Sequence, residues 1–252
     1  MDFSVWQILS LLLLGYAAGI INTLAGGGSN LTLPMLMVLG LPADVANATN
    51  RVGIFLQTLW GASSFHRHGE LPLHDFRGIF LPLSIGGVIG ALAASYAPVT
   101  YLKPVLLLTM LSMTAIILIR PTVVLPEPGT PTRPVKGNPS AWAMLFVSGF
   151  YGSFVQAGVG FVLIMALAGT LRYDLVKSNA LKLLCTLGFT SIALVVFIAR
   201  GQVAWLPGLI LASTMMLGAH HGVKFAIHAK ASQLKWFLFV MTLCGTLAAF
   251  FF

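Results

Sequence analysis

Two glycine-rich interruptions, each set between long apolar runs, constrain this chain more than any other feature. The first is Asn22-Thr23-Leu24-Ala25-Gly26-Gly27-Gly28-Ser29-Asn30; the second is Phe154-Val155-Gln156-Ala157-Gly158-Val159-Gly160. They hold matching places 132 residues apart, Gly26 with Gly158 and Gly28 with Gly160. Glycine lets the backbone leave the helical region at little cost and lets a ligand come close to it. Inside hydrocarbon, non-helical backbone survives only where protein covers it or where it lines a wet cavity. Paired interruptions in corresponding segments of two halves point to a transporter's binding site.

The surroundings require a membrane. Of 252 residues, 58% are hydrophobic and 8% charged, and the mean hydropathy is +0.93. A soluble domain of this size carries about 25% charge. The runs Ile8–Tyr16, Ile79–Ala97, Val105–Ile119, Leu187–Ala199 and Phe237–Phe252 are too many and too apolar for one soluble core, and about 20 apolar residues cross a bilayer as a helix. The N-terminus does not read as a cleaved signal, because Asp2 stands where a positive region belongs. The net charge of +8 is scattered at segment ends with no basic block, so it reads as membrane orientation and not as nucleic-acid binding. Cys185 and Cys244 lie inside apolar runs and read as buried free thiols.

Ten apolar segments are predicted, at 4–24, 29–40, 47–65, 76–97, 101–119, 141–156, 160–171, 177–199, 203–226 and 232–252. The second and seventh are short, either half-helices or steep spans, and Pro34 falls within the second. The stretch Arg120–Ser140 holds Pro121, Pro126, Pro128, Pro131, Pro134 and Pro139, which excludes helix interior and predicts an extended linker. The chain therefore divides into a first membrane repeat (1–120), a Pro-rich cytoplasmic linker (121–140) and a second membrane repeat (141–252). At the 132-residue shift Asn47-Ala48 meets Asn179-Ala180, Thr58 meets Thr190, Gly69 meets Gly201, Gly86 meets Gly218, Gly90 meets Gly222 and Leu102-Lys103 meets Leu234-Lys235. Five segments per half send the second half through the bilayer in the opposite sense, an inverted repeat. If every segment crosses, eleven of the fourteen Lys and Arg fall on one side, and Arg51, Lys103 and Arg200 on the other. Positive charge marks the cytoplasmic side, which puts the linker there and both termini outside.

Candidate chemistry gathers at and near the breaks. Ser29 and Asn30 follow the first break and are good N-caps. A helix start at membrane depth offers unpaired N–H groups and a positive dipole end, which suits an anion. Inverted symmetry aims the starts at Gly26, Gly27, Gly28 and Ser29 and at Gly158 and Gly160 toward one another. The competing role for such glycines is close helix packing, the preferred reading for Gly86, Gly87 and Gly90. A second polar group opens each third segment. Asn47, Asn50, Ile54, Gln57 and Gly61 share one helix face, and Asn179, Lys182, Thr186 and Thr190 share the equivalent one. Asn47, Asn50 and Asn179 either meet substrate or make caps and interhelical bonds. Arg51 and Lys182 stand about one turn inside their helices, where a cation attracts an anion or snorkels to headgroups. Asn22 and Gln156 flank the breaks and can hold ligand or broken backbone.

Other polar groups carry less. His66, His68 and His74 share a loop with Glu70 and Asp75, and His221, Lys224 and His228 share one face of the ninth segment. Neither set has zinc spacing. Asp2, Asp44, Glu70, Asp75, Glu127 and Asp174 fall outside the apolar cores, which leaves an enzyme or an intramembrane carboxylate relay without support. No cofactor or metal is expected.

The run Gly15-Tyr16-Ala17-Ala18-Gly19-Ile20-Ile21-Asn22-Thr23-Leu24-Ala25-Gly26-Gly27-Gly28-Ser29, with Leu33-Pro34 and the stretch Ala46–Asn50, resembles the TauE/SafE sulfite exporter type of membrane protein. The resemblance spans nearly the whole length, duplicated half included. It implies a carrier of small sulfur-containing anions such as sulfite, sulfoacetate or other organosulfonates. The combined expectation is an all-α polytopic protein of the inner membrane, a secondary transporter working by alternating access. An anion channel, or a carrier of another small carboxylate or oxyanion, is the alternative. Its partners are a small anion and the lipid bilayer, with no nucleic acid; a homodimer is compatible with this reading.

Overall fold

The computed structural model describes residues 4–24, 26–119 and 130–228. The described elements are helical: α1 (Val5–Leu24), α2 (Ser29–Val38), α3 (Ala43–Arg67), α4 (Phe76–Tyr96), α5 (Val99–Ile119), α6 (Pro139–Phe154), α7 (Val159–Ile164), α8 (Leu175–Ala199) and α9 (Trp205–His228). A 3-10 turn, Leu73–Asp75, leads into α4, and α7 runs on into a π-helical stretch, Met165–Thr170. The predicted tenth segment, linker residues 121–129, Ala25, Cys244 and the Leu234-Lys235 pair lie outside the described residues.

Burial is inverted relative to a soluble protein. Arg51, Lys182, Asn47, Asn50, Gln57 and Thr190 are buried, whereas Trp6, Leu13, Leu81, Val195 and Leu217 are exposed. An apolar solvent produces this arrangement, because hydrocarbon takes up apolar side chains freely and penalises polar ones. Val5–Leu24, Leu73–Tyr96 and Leu175–Ala199 are long and apolar enough to cross a membrane. Helix α3 is as long as α8 but carries a polar stripe, which it turns inward.

Element bounds recur at the 132-residue interval. Shifting α3 by 132 residues gives the bounds of α8, and shifting the 3-10 turn together with α4 gives those of α9. Left-handed residues repeat at the same interval: Gly26 with Gly158, Gly40 with Arg172 and Gly69 with Gly201. The helix ends repeat bond for bond. After α3, Gly69 N–H donates to His66 O and Glu70 N–H to Phe65 O; after α8, Gly201 N–H donates to Ile198 O and Gln202 N–H to Phe197 O. Each is a Schellman cap, which satisfies carbonyls that a helix end otherwise leaves orphaned. One departure from this interval lies beside the π stretch. Leu41 N–H reaches Leu36 O, five residues back, whereas its counterpart Tyr173 reaches Leu167 O, six residues back.

Helices α3 and α8 pack on each other at the centre, with α9 also against α3 and α4 against α8. Outside these, α1 packs on α9 as its counterpart α6 packs on α4. Glycine makes both outer crossings close. A methyl group built on Gly218 would lie 2.2 Å from Tyr16 O, and one on its counterpart Gly86 2.1 Å from Phe146 O. No side chain fits there, so the packing role holds for Gly86; a methyl on Gly90 would likewise meet Phe150 O at 2.2 Å.

Candidate substrate site at the paired breaks

The two interruptions meet. Gly26 is left-handed (φ 84°), and a methyl group built on it would lie 2.3 Å from the Cα of Gly160. The strips therefore touch main chain to main chain in the buried interior, and Gly160 is itself buried. The second break is sharper than the first, because Gln156 (φ 73°) and Gly158 (φ 75°) are both left-handed. A non-glycine residue in this region carries strain, and side-chain bonds to Gln156 hold it.

Both short helices start without a side-chain cap. The N-caps are Gly28 for α2 and Gly158 for α7, and neither receives a capping bond. Ser29 is thus not the cap its type suggests; its hydroxyl accepts from Asn50 Nδ2 at 3.1 Å, and Asn50 Oδ1 in turn accepts from Thr32 at 2.6 Å. Gly28 is fixed by space, since a methyl on it would lie 2.4 Å from Ala18 O, whereas one on Gly27 would make only ordinary contact with Phe161 at 3.6 Å.

The two interior cations do not snorkel. Arg51 is 0% and Lys182 1% exposed, and each reaches from one half to a helix end in the other. Arg51 donates from Nη1 to Gly152 O (2.8 Å) and Gln156 Oε1 (2.7 Å), and from Nη2 to Ser153 O (2.6 Å). Asn47 Nδ2 donates to Phe154 O at 2.9 Å. The last three carbonyls of α6 are thereby satisfied from α3. Lys182 donates to Thr23 O at the end of α1 (2.7 Å) and to Asn179 Oδ1 (2.9 Å). Gln57 completes that end, with its Oε1 accepting from Asn22 Nδ2 (2.8 Å) and its Nε2 donating to Thr23 Oγ1 (3.3 Å). Cations suit helix C-termini because the dipole is negative there.

Every oxygen in these bonds to Arg51 and Lys182 is neutral. Three of the four described acids are engaged elsewhere, Asp44 with Gln202, Asp75 with Tyr173 and His74, and Asp174 with Lys177, and the fourth, Glu70, lies in the loop after α3. Two donors in the polar core have no hydrogen-bond partner, Arg51 Nε and Asn179 Nδ2. A helix C-terminus offers about half a negative charge, so two of them leave roughly one positive charge uncompensated, before the starts of α2 and α7 are counted.

Twelve of the thirteen sequence-predicted site residues are buried, and Gly27 is half-buried. Asn22, Asn179 and Lys182 serve the end of α1, and Asn47, Arg51 and Gln156 serve the end of α6. Ser29 and Asn50 tie α2 to α3, and Gly26, Gly27, Gly28, Gly158 and Gly160 form the breaks. Sequence reasoning missed Thr23, Thr32 and Ser153, which are buried there too. Ser153 and Thr23 act partly through main-chain carbonyls, for which no residue type is a signal. Among the described residues, no three His, Cys, Asp or Glu side chains gather as a metal site.

A helical bundle with a lipid-facing apolar exterior and a buried, cation-bearing polar core broken at two glycine strips defines a multi-pass membrane transporter. The chain belongs to the TauE/SafE sulfite exporter family, whose profile matches residues 11–249. It is 25% identical over 248 residues to the probable membrane transporter protein ORF9 of a Sinorhizobium species, covering 96% of this chain and 92% of that one. It is 25% identical over 252 residues to a probable membrane transporter protein of Haemophilus influenzae, covering 98% and 95%. To the probable membrane transporter protein YfcA of Escherichia coli K12 it is 27% identical over 210 residues, covering 83% and 77%. No solved structure matches the chain.

Proposed function

We propose that the chain is a secondary transporter of small sulfur-containing anions, sulfite, sulfoacetate or other organosulfonates, across the inner membrane. The observation that carries this reading is the pair of buried cations, Arg51 and Lys182, held by neutral oxygens beside touching backbone breaks. Buried charge without a counter-charge is costly, and a small anion between two such cations relieves the cost. The free Arg51 Nε and Asn179 Nδ2 supply donors to its oxygens, and the starts of α2 and α7 add their positive dipole ends, the N–H groups of Asn30, Leu31, Val159 and Phe161 being already bonded to nearby carbonyls. The family's description as sulfite exporters supports sulfur oxyanions over carboxylates.

The two halves are inverted repeats (1–120 and 141–252) joined by a cytoplasmic linker, with both termini outside. Burial of Arg51 and Lys182 takes one cation from each side of the orientation tally and leaves ten against two, so the bias persists. Alternating access comes from one repeat rocking on the other. Because each cation is anchored on the opposite repeat, rocking changes both anchors together, and the bound anion is what the moving parts share.

Thermal melting of the detergent-purified chain across a panel of sulfite, sulfoacetate, acetate, phosphate, an amino acid and sodium tests the substrate class. A ligand that binds the folded state raises the melting point with occupancy. Sulfite or a sulfonate should give the largest rise. Stabilisation by the amino acid or the cation alone would overturn the reading.

A further inference from the structure

A cavity lies where α4 and α6 begin, and none of its lining residues belongs to the breaks. It has a volume of about 410 Å³ and is lined by Gly78, Leu81 and Pro82 of α4, Val135–Asn138 of the linker, and Pro139 and Trp142 of α6. The linker here is non-helical and mostly exposed, and it is tied to the bundle. Arg133 N–H donates to Leu171 O at 2.9 Å, Asn138 N–H donates to Val135 O at 3.0 Å, and Val135 packs against the core around Ile79 and Leu83. The cavity is thus a built feature between two membrane helices and a fixed strap.

Its lining is apolar with one cation. The body is apolar, formed by Leu81, Pro82, Val135 and Trp142. Leu81 and Trp142 are exposed on the lipid-facing surface, and Trp142 stacks on Phe146 with ring centroids 5.7 Å apart. Tryptophan at the end of a membrane helix marks headgroup level. The cavity's one charged lining residue is a cation, the exposed Lys136, and Arg77 is the chain neighbour of the lining Gly78. No lining residue is acidic; the nearby Asp75 is bound to Tyr173 and His74. Both α4 and α6 begin here, so their positive dipole ends face the same way as the cations.

We propose that this cavity binds one anionic phospholipid of the cytoplasmic leaflet, its phosphate at Lys136 and an acyl chain along Leu81, Pro82 and Trp142. Basic pockets between membrane helices on the cytoplasmic side recognise acidic headgroups in this way. The lipid wedges between the first turns of α4 and α6 and holds the strap that joins the two halves, so it supports the crossing between them. The site is independent of the anion site at the breaks.

The test is native mass spectrometry of the full-length delipidated chain titrated with phosphatidylglycerol and, separately, phosphatidylcholine. The wild type should hold one phosphatidylglycerol more tightly than any phosphatidylcholine. Lys136→Ala should weaken that binding about fivefold, the effect of one basic residue at an anionic surface, and leave phosphatidylcholine unchanged. Gly78→Leu, which fills the cavity, should abolish the tight site for both lipids, while sulfite still shifts the melting point of either variant. Equal retention of the two lipids by the wild type overturns the proposal without any variant. So does a folded Lys136→Ala that keeps wild-type preference.

Discussion

The most exposed consequence of the anion reading is what happens when the counter-charge is built in. Gln156 is 2% exposed, and its Oε1 lies 2.7 Å from Arg51 Nη1, with Thr190 Oγ1 donating to the same oxygen at 3.4 Å. Gln156→Glu keeps size and shape and converts that neutral oxygen into a carboxylate. The bond from the charged Arg51 already falls in the range of about 1.5–3 kcal/mol for hydrogen bonds to charged groups, and adding the counter-charge moves it from the bottom of that range toward the top, so the empty protein should gain about 1–1.5 kcal/mol. For a domain of this length that is a rise of about 2–6 °C in melting point. The resident carboxylate would also take the place of substrate charge. Wild type at a hundredfold excess of ligand over Kd gains about 2.7 kcal/mol, and the variant should show almost none of this. Differential scanning fluorimetry in detergent, with and without sulfite, reads both effects. A Gln156→Glu protein that melts below wild type and still responds fully to sulfite would refute the reasoning, because Arg51 would then need no counter-charge.

Three further outcomes are expected. Arg51→Met orphans Gly152 O and Ser153 O, whereas Lys182→Met orphans one main-chain carbonyl, Thr23 O; at about 1–3 kcal/mol per buried acceptor, the losses are about 2–6 and about 1–3, and unfolding in denaturant should rank them so. Gly26→Ala drives a methyl into Gly160 and should abolish folded protein on size-exclusion chromatography, while Gly27→Ala, with only an ordinary contact to Phe161, should elute as wild type; equal behaviour would contradict the touching breaks. Tyr173 is buried and donates to Asp75, and burial together with that carboxylate pushes its phenol well above the usual range. A raised folded value means the stabilisation is full below the ordinary phenol range and lost only as pH climbs through the folded value. Tyr173→Phe should therefore cost about 1.5 kcal/mol, constant across neutral pH in melting experiments; a cost that fades between neutral and mildly alkaline pH would contradict this.

Much of the architecture could be read from the chain because the strongest signals were short-range. Gly26 and Gly158 predict where the backbone turns, and Asn47 with Asn179 sets the register that α3 and α8 then follow. The polar face from Asn47 to Gln57 predicts the stripe that α3 buries. The partners of Arg51 and Lys182 were not legible, because main-chain carbonyls at Gly152, Ser153 and Thr23 leave no trace in residue type. For the same reason Ser29 looked like a cap until Asn50 claimed its hydroxyl. The left-handed Gln156 and Arg172 were hidden too, since neither is glycine. The linker's prolines correctly exclude helix over 130–138, but nothing in them announces the bond from Arg133 to Leu171.

Counterflow in proteoliposomes tests the central claim most directly. Vesicles containing the purified chain and loaded with unlabelled sulfite should take up labelled sulfite in a saturable, trans-stimulated manner, and the Arg51→Met, Lys182→Met double variant should not. Uptake that neither saturates nor depends on internal sulfite, or wild-type counterflow by that double variant, would contradict a carrier built on the two buried cations.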